Sequence, residues 1–197
     1  MKSMDYIAKI KEKIRTQETE ERYNHTLQTK EVCLMLAERF SVDSTCVTVA
    51  ALWHDIARSW SDAELLSYTK EHHLEALEHE LAVPMLLHGL VGAHLFVSYP
   101  LQGPFTEEQK RAIWLAIRWH TTGQSDMGVV GYVLFIADYI EPGRKHLTDD
   151  DRNQIVSLTT LEDMIMHILD MQFMHFEKKG ISCEGPAKLL YRRLNGR

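Results

Sequence analysis

Cysteine is scarce in this sequence, and its pattern excludes two classes of site. The three cysteines are Cys33, Cys46 and Cys183, an odd number with no C-x-x-C pair. A disulfide scaffold and a cysteine-rich zinc site are therefore not indicated. We expect reduced thiols and a cytoplasmic location.

Long apolar runs are also absent. The longest spans about residues 129–137, far short of the roughly 18 residues that a membrane span needs. Residues 1–15 mix charges with isolated apolar side chains and lack the apolar core of a signal peptide. We therefore expect no membrane partner.

The chain has no strongly basic stretch. It carries 22 Lys and Arg against 28 Asp and Glu, which gives a formal net charge of -6. This balance argues against general nucleic-acid binding through a positive surface. An acidic protein can still bind anions where metal ions or a few arginines reverse the sign of the charge locally.

Apolar residues recur at helical spacing along most of the chain, and no convincing period-two run is bounded by hairpin turns. Residues 47–53 and 129–137 have strand-like compositions, but the periodicity of their neighbours favours helix. We predict an all-α fold, a single helical bundle over residues 1–197 with C-terminal helices at 150–197. The predicted helices are 5–16, 20–39, 44–58, a short one capped by Ser61, 84–97, 106–120, 127–141, 160–179 and 184–194.

Imidazoles and carboxylates within apolar segments carry the functional signal. His54 and Asp55 follow an apolar run that belongs in a core, and His88, His120 and Asp138 each follow another. Burying such groups costs free energy unless a partner or a metal compensates. One buried His-Asp pair can be a hydrogen-bonded core feature. Four separate segments of this kind indicate a shared charge, and metal ions are the simplest source.

The types of ligand narrow the choice of metal. Imidazoles mixed with carboxylates, without thiolates, suit Fe, Mn or Zn rather than Ca. One catalytic zinc keeps three protein ligands and a water, so a larger set of ligands favours two metals that share a carboxylate.

The other histidines are expected to have no direct function. His72, His73 and His79 lie in a charged surface stretch with Glu71, Glu75, Glu78 and Glu80, and His146, His167 and His175 are isolated.

Five motifs carry a family resemblance: "RYNH" at 22–25, "ALWHDIAR" at 51–58, "HGLVGAH" at 88–94, "IRWHTTG" at 117–123 and "ADYIEPGR" at 137–144. Together they resemble the HD-domain metal-dependent phosphohydrolase superfamily. At a finer level they resemble the bacterial YqeK-type proteins, which are similar to symmetrical diadenosine-tetraphosphate hydrolases. Arg58 stands where the family pattern leads us to expect Lys, and the charge is kept.

The resemblance implies a single HD domain with a metal-binding core at about residues 20–145. It also implies a di-iron or similar centre, with Asp55 as the bridging carboxylate. Its implied ligands are His25, His54, Asp55, His88, His120 and Asp138. We assign catalytic roles to Asp55 and Arg58. The predicted substrate contacts are Arg22, Arg58, Gly89, Thr121 and Arg144.

Spacing supports part of this assignment. Arg22 and Arg58 each lie three residues from a predicted ligand, on the same face of a helix, and the guanidinium fork suits phosphate oxygens. Two alternatives stay open: an ion pair of Arg22 with Glu18 or Glu21, and tight helix packing at Gly89.

The implied activity is hydrolysis of diadenosine tetraphosphate to two ADP. The residues themselves indicate only a metal site suited to phosphate. The alternatives are a phosphohydrolase for another nucleotide, a non-catalytic nucleotide-binding regulator, and an oxygen-using di-iron enzyme, which the flanking arginines disfavour. A homodimer is compatible with the sequence.

Overall fold

The computed structural model describes residues 3–100, 103–180 and 185–196. Within these ranges the chain forms α-helices joined by turns and contains no strand, which confirms the predicted all-α class. No helix there is both long enough and apolar enough to cross a membrane. The helices are α1 (Ser3–Gln17), α2 (Glu20–Phe40), α3 (Ser44–Trp53), α4 (Asp62–Glu71), α5 (Glu78–Ala82), α6 (His88–Ser98), α7 (Glu107–Trp119), α8 (Gly128–Ile140), α9 (Asp149–Ser157), α10 (Leu161–Lys178) and α11 (Pro186–Asn195).

Helix α3 lies at the centre of the fold. Every residue from Cys46 to Trp53 is buried, and α3 contacts α1, α2, α6, α7 and α8. A helix that is apolar on all sides is stable only when neighbours surround it. Helix α8 is likewise apolar and largely buried. The two segments with strand-like composition, 47–53 and 129–137, therefore lie in buried helices.

Two boundaries differ from the predictions and place the functional residues at helix ends. Helix α3 ends at Trp53 instead of continuing to Arg58, and residues 54–59 form turns. The helix predicted over 84–97 is divided into a short 3₁₀ helix, Pro84–Leu87, and α6, which begins at His88.

The caps explain two further differences. Asp43, not Ser44, caps α3, because its carboxylate accepts hydrogen bonds from the backbone N–H groups of Thr45 and Cys46 at 2.8 and 2.9 Å. Helix α9 was not predicted as a separate element. It begins with a capping box between Thr148 and Asp151.

The C-terminal helices extend the bundle beside α8. Helix α10 packs against α8, and α11 packs against α10. The last helix begins at Pro186, whereas the predicted start, Glu184, lies outside the described residues, as does Cys183. Cys33 and Cys46 are buried free thiols.

Candidate metal centre

The six predicted ligands come from five helices and meet in the core. His25 lies within α2, and Asp138 lies near the end of α8. The other four lie at helix ends: His54 and Asp55 directly after α3, His88 at the start of α6, and His120 directly after α7. Their donor atoms form three overlapping groups that could hold metal ions: His25, His54 and Asp55; His54, His120 and Asp138; and Asp55, His88 and His120.

Backbone carbonyls fix the orientation of three imidazole rings. Nδ1 of His54 donates to the carbonyl oxygen of Ala51 at 2.7 Å. The Nδ1 atoms of His88 and His120 donate likewise to the carbonyls three residues earlier, at 2.6 and 2.8 Å. Because Nδ1 carries the proton in each ring, Nε2 of the neutral ring is left with a lone pair that points into the centre.

The Nε2 atoms face one another in pairs. His88 and His120 bring theirs within 3.0 Å, and His25 and His54 bring theirs within 3.2 Å. Burial lowers the pKa of His54 and of His88 to about 4, so both rings are neutral near pH 7. Two Nε2 lone pairs cannot hydrogen-bond to each other, so a cation or a hydrogen-bond donor completes the His88–His120 arrangement.

Asp55 lies between the two imidazole pairs. Its Oδ1 is 3.4 Å from Nε2 of His88 and 3.7 Å from Nε2 of His120. Its Oδ2 is 3.6 Å from Nε2 of His54 and 3.7 Å from Nε2 of His25. Each oxygen thus serves a different pair, as a carboxylate shared by two ions requires. Burial raises the pKa of Asp55, but the neighbouring imidazoles outweigh it and hold that pKa well below its usual range.

Four imidazoles and two carboxylates without a thiolate fit divalent first-row metals. The opening to solvent lies on the side of His25 and Asp138, whose side chains are 13% and 16% exposed, whereas His54 is completely buried. Nε2 of His25 is 3.1 Å from Oδ1 of Asp138. This side therefore offers access from solvent to the ligand atoms.

Glu141 supports His25, and the sequence analysis missed it. Nδ1 of His25 donates to Oε1 of Glu141 at 3.1 Å, and the backbone N–H of Gly143 donates to Oε2 at 2.5 Å. Burial acts to lower the pKa of His25, but the hydrogen bonds to Asp138 and Glu141 outweigh it and raise this pKa to about 9. A carboxylate behind a ligand histidine sets the orientation and basicity of its ring. The available signal was the position of Glu141 in the "ADYIEPGR" motif.

Three arginines surround the opening. Arg22 pairs with Asp55 at 2.5 Å, in place of the alternative pairing with Glu18 or Glu21. Arg144 pairs with the carboxylate of Asp138 and donates to its backbone carbonyl at 2.8 Å. Arg58 is half-buried, and burial together with the like charges of Arg22 and Arg144 lowers its pKa against the opposing effect of Asp55. Among the described residues, none forms a hydrogen bond or ion pair with the Arg58 side chain.

Two other predicted substrate contacts lie in different surroundings. Thr121 is exposed, and its hydroxyl is 3.1 Å from Nε2 of His88 and 2.9 Å from Nε2 of His120. The Thr121 hydroxyl has one proton, so it can donate to only one of these nitrogens.

Gly89 is buried, and an added Cβ would lie 2.8 Å from the backbone oxygen of Arg118. This contact favours the packing alternative for Gly89 over a substrate contact.

One predicted surface residue is part of the core. Glu80, expected on a solvated face, is completely buried, and Arg118 donates to both of its carboxylate oxygens at 2.6 and 2.8 Å. This pair links α5 to α7 just before His120. His94 faces away from the centre, towards the Tyr68 hydroxyl at 3.0 Å.

Comparison with known proteins identifies the family of the chain. The HD domain family profile matches residues 22–143. A Bacillus subtilis protein named bis(5'-nucleosyl)-tetraphosphatase, symmetrical, is 32% identical over 162 residues, which are 77% of this chain and 82% of that protein. A Staphylococcus aureus protein of the same name is 28% identical over 177 residues, 89% of this chain and 88% of that protein.

The fold also has a solved counterpart. The crystal structure of a protein described as a predicted HD superfamily hydrolase involved in NAD metabolism, from Clostridium acetobutylicum, matches with a TM-score of 0.83. It is 24% identical, and the match covers 96% of this chain and 97% of that one. The chain belongs to the HD domain family, within which it resembles proteins named symmetrical bis(5'-nucleosyl)-tetraphosphatases.

Proposed function

We propose that this protein is a metal-dependent hydrolase that cleaves diadenosine tetraphosphate and related dinucleoside polyphosphates symmetrically. One water is consumed, the bond between the two central phosphates is broken, and two nucleoside diphosphates leave. The observation that carries the proposal is the division of the Asp55 carboxylate between two imidazole pairs beside three arginines. The names of the relatives supply the choice of substrate.

The proposed centre holds two divalent or mixed-valence metal ions, with iron as the first choice and manganese or zinc as alternatives. Asp55 with His25, His54 and Asp138 would hold one ion, and Asp55 with His88 and His120 would hold the other. Metal ions held there would supply Lewis acidity that polarises a phosphoryl oxygen and lowers the pKa of a water molecule. Asp55 is the residue shared by both positions, so its loss would affect both.

The arginines are proposed to bind and orient the polyphosphate. Arg58 has no partner among the described residues and stays charged, so it is free to bind a phosphate oxygen. Arg144 is held beside Asp138 and can pair with a second phosphate. Oriented donors at the point where negative charge develops stabilise it more than mobile water does. The negative substrate thus meets a positive rim on a protein whose net charge is -6.

The test compares Asp55→Asn with the matched control Asp126→Asn, an exposed aspartate outside the centre. We expect wild-type protein supplied with iron or manganese to convert diadenosine tetraphosphate to ADP as its only nucleotide product. Asp55→Asn should lower kcat by at least about a hundredfold, and Asp126→Asn should leave it unchanged. Product chromatography and metal analysis provide the readouts.

Three results would contradict the proposal. ATP and AMP as products would exclude a symmetrical cut. Nucleotide binding without turnover in any of the three metals would favour a regulator. Oxygen uptake would favour an oxygen-using centre.

A further inference from the structure

A cleft leads away from the metal centre towards α10. Its inner part has a volume of about 230 Å³ and is lined by the predicted ligands His120 and Asp138 together with Thr121 and Arg144. Its outer part has a volume of about 460 Å³ and lies between the end of α8 and α10. Tyr139, His146 and Gln172 line both parts, so the two parts adjoin at these side chains.

The outer part has the composition of a site for a flat aromatic ring. Tyr139 and His146 lie edge to face with ring centroids 5.0 Å apart, and Met171 and Phe176 line the same space. Aromatic faces and thioethers stack favourably on heterocyclic rings. Its size falls within the usual range for small-molecule sites.

Gln172 lies where the two parts meet. Its side-chain amide makes no hydrogen bond to any described residue, although the residue is partly buried. An amide offers both a donor and an acceptor, which matches the edge of an adenine base. An amide with no hydrogen-bond partner among the described residues is available to bind a ligand.

We propose that the nucleoside of one nucleoside diphosphate half binds in this outer cleft, which is formed by Tyr139, His146, Met171, Gln172 and Phe176. The inference rests on the proposed function and adds the position and orientation of the substrate. The phosphates lie at the metal centre and Arg144, and the base lies outward against α10. The C-terminal helices then contribute directly to recognition, which the motif-bearing residues 22–144 cannot supply alone.

A second cavity, remote from the predicted ligands, is one structural rival. It has a volume of about 690 Å³ and is lined by aromatic side chains that include Trp53, Trp60 and Tyr99. None of the predicted metal ligands or arginines lines it. The α8–α10 cleft is favoured over this cavity because its inner part is lined by His120, Asp138 and Arg144.

The test measures binding of ADP and of pyrophosphate to the manganese-loaded protein by titration calorimetry. We expect Gln172→Ala and His146→Ala each to weaken ADP binding about tenfold, which corresponds to the loss of one base contact. Pyrophosphate binding should stay at the wild-type value, because its contacts lie at the centre. Gln154→Ala, at an exposed glutamine of α9, is the matched control and should leave both affinities unchanged.

A labelling experiment locates the base independently of any variant. Photolabelling with 8-azido-ADP should modify residues within 139–147 or 171–178. Label on Trp53, Trp60 or Tyr99, or ADP affinities in both cleft variants equal to wild type, would overturn the inference. Failure of the proposed function gives a different result: ADP would bind through Gln172 and His146 while diadenosine tetraphosphate stayed intact.

Discussion

At the scale of single residues, Glu18 is an acidic group held close to the centre by a buried hydroxyl. Oγ1 of Thr26, which is completely buried, donates to its carboxylate at 3.2 and 3.4 Å. Burial raises the pKa of Glu18 to about 7, with the Thr26 hydrogen bond opposing this shift and the charge of Asp55 adding to it. The ionised form of Glu18 is therefore unfavourable in the folded chain.

This shift predicts a dependence of stability on pH in the metal-free protein. The pKa of Glu18 is higher in the folded state than the ordinary value of 4.5, so its contribution is fully present below pH 4.5 and is lost as pH rises through 7. Glu18→Gln mimics the protonated form. It should raise the free energy of unfolding at pH 8 by about 1 kcal/mol, allowing for partial solvent exposure, and have little effect at pH 4.5.

Urea denaturation of the metal-free variants at both pH values measures this effect. Glu177→Gln, at an exposed position of α10, is the control and should match wild type throughout. An equal free energy of unfolding for Glu18→Gln and wild type at pH 8 would show that Glu18 is not destabilised by its surroundings.

The residues that could be predicted from sequence were those whose type conflicts with an apolar segment. His54, His88 and Asp138 stand out in that way, and the structure brings them together. Glu141 and Glu80 do not stand out, because their partners His25 and Arg118 are distant in sequence. A charged residue in a polar stretch gives no local sign that tertiary packing will bury it.

At the scale of helices, α6 and α7 approach closely beside the His88–His120 pair. The Cβ of an alanine at position 89 would lie 2.8 Å from the backbone oxygen of Arg118 and 3.2 Å from that of Ile117. At position 92, a Cβ would make only an ordinary contact, 3.4 Å from the Ile117 side chain. The absence of a side chain at Gly89 therefore sets the spacing of two ligand-bearing helices.

This contrast predicts different outcomes for two similar substitutions. Gly89→Ala should lower the free energy of unfolding by about 1–3 kcal/mol, because backbone atoms cannot move aside as a flexible side chain can. It should also weaken metal binding, because His88 and His120 would be displaced. Gly92→Ala should change stability by less than about 1 kcal/mol. Denaturation and metal titration of both variants test this, and equal losses would refute the packing argument.

Helix interiors were predicted well and helix ends less well. The helices that carry His25 and Asp138, predicted over 20–39 and 127–141, span Glu20–Phe40 and Gly128–Ile140 in the structure. The end of α3 at Trp53 has no Gly or Pro to signal it. His54 and Asp55 lie in the turns that follow α3 and meet ligands from other helices, a tertiary arrangement that the local sequence does not express.

At the scale of the whole molecule, the centre joins the helices into one unit. Asp55 and His54 follow the central helix, and the remaining ligands come from α2, α6, α7 and α8. Any ion bound there contacts side chains from distant parts of the chain, so it binds the folded state and not the unfolded one. Ligand binding of this kind stabilises the fold by mass action.

Metal removal should therefore lower the melting temperature without unfolding the chain, because the apolar core around α3 is continuous without a metal. At a free metal concentration one hundred times the dissociation constant, one ion adds about 2.7 kcal/mol. For a domain of this size, each kcal/mol raises the melting temperature by roughly 2–4 °C. Calorimetry before and after chelation, and after manganese is returned, should show a loss of about 5–10 °C per site that is fully restored. Asp55→Asn should show little metal-dependent rise, whereas Asp126→Asn should behave as wild type. Identical melting temperatures for chelated and metal-loaded wild type would mean that the facing imidazoles of His88 and His120 hold no ion.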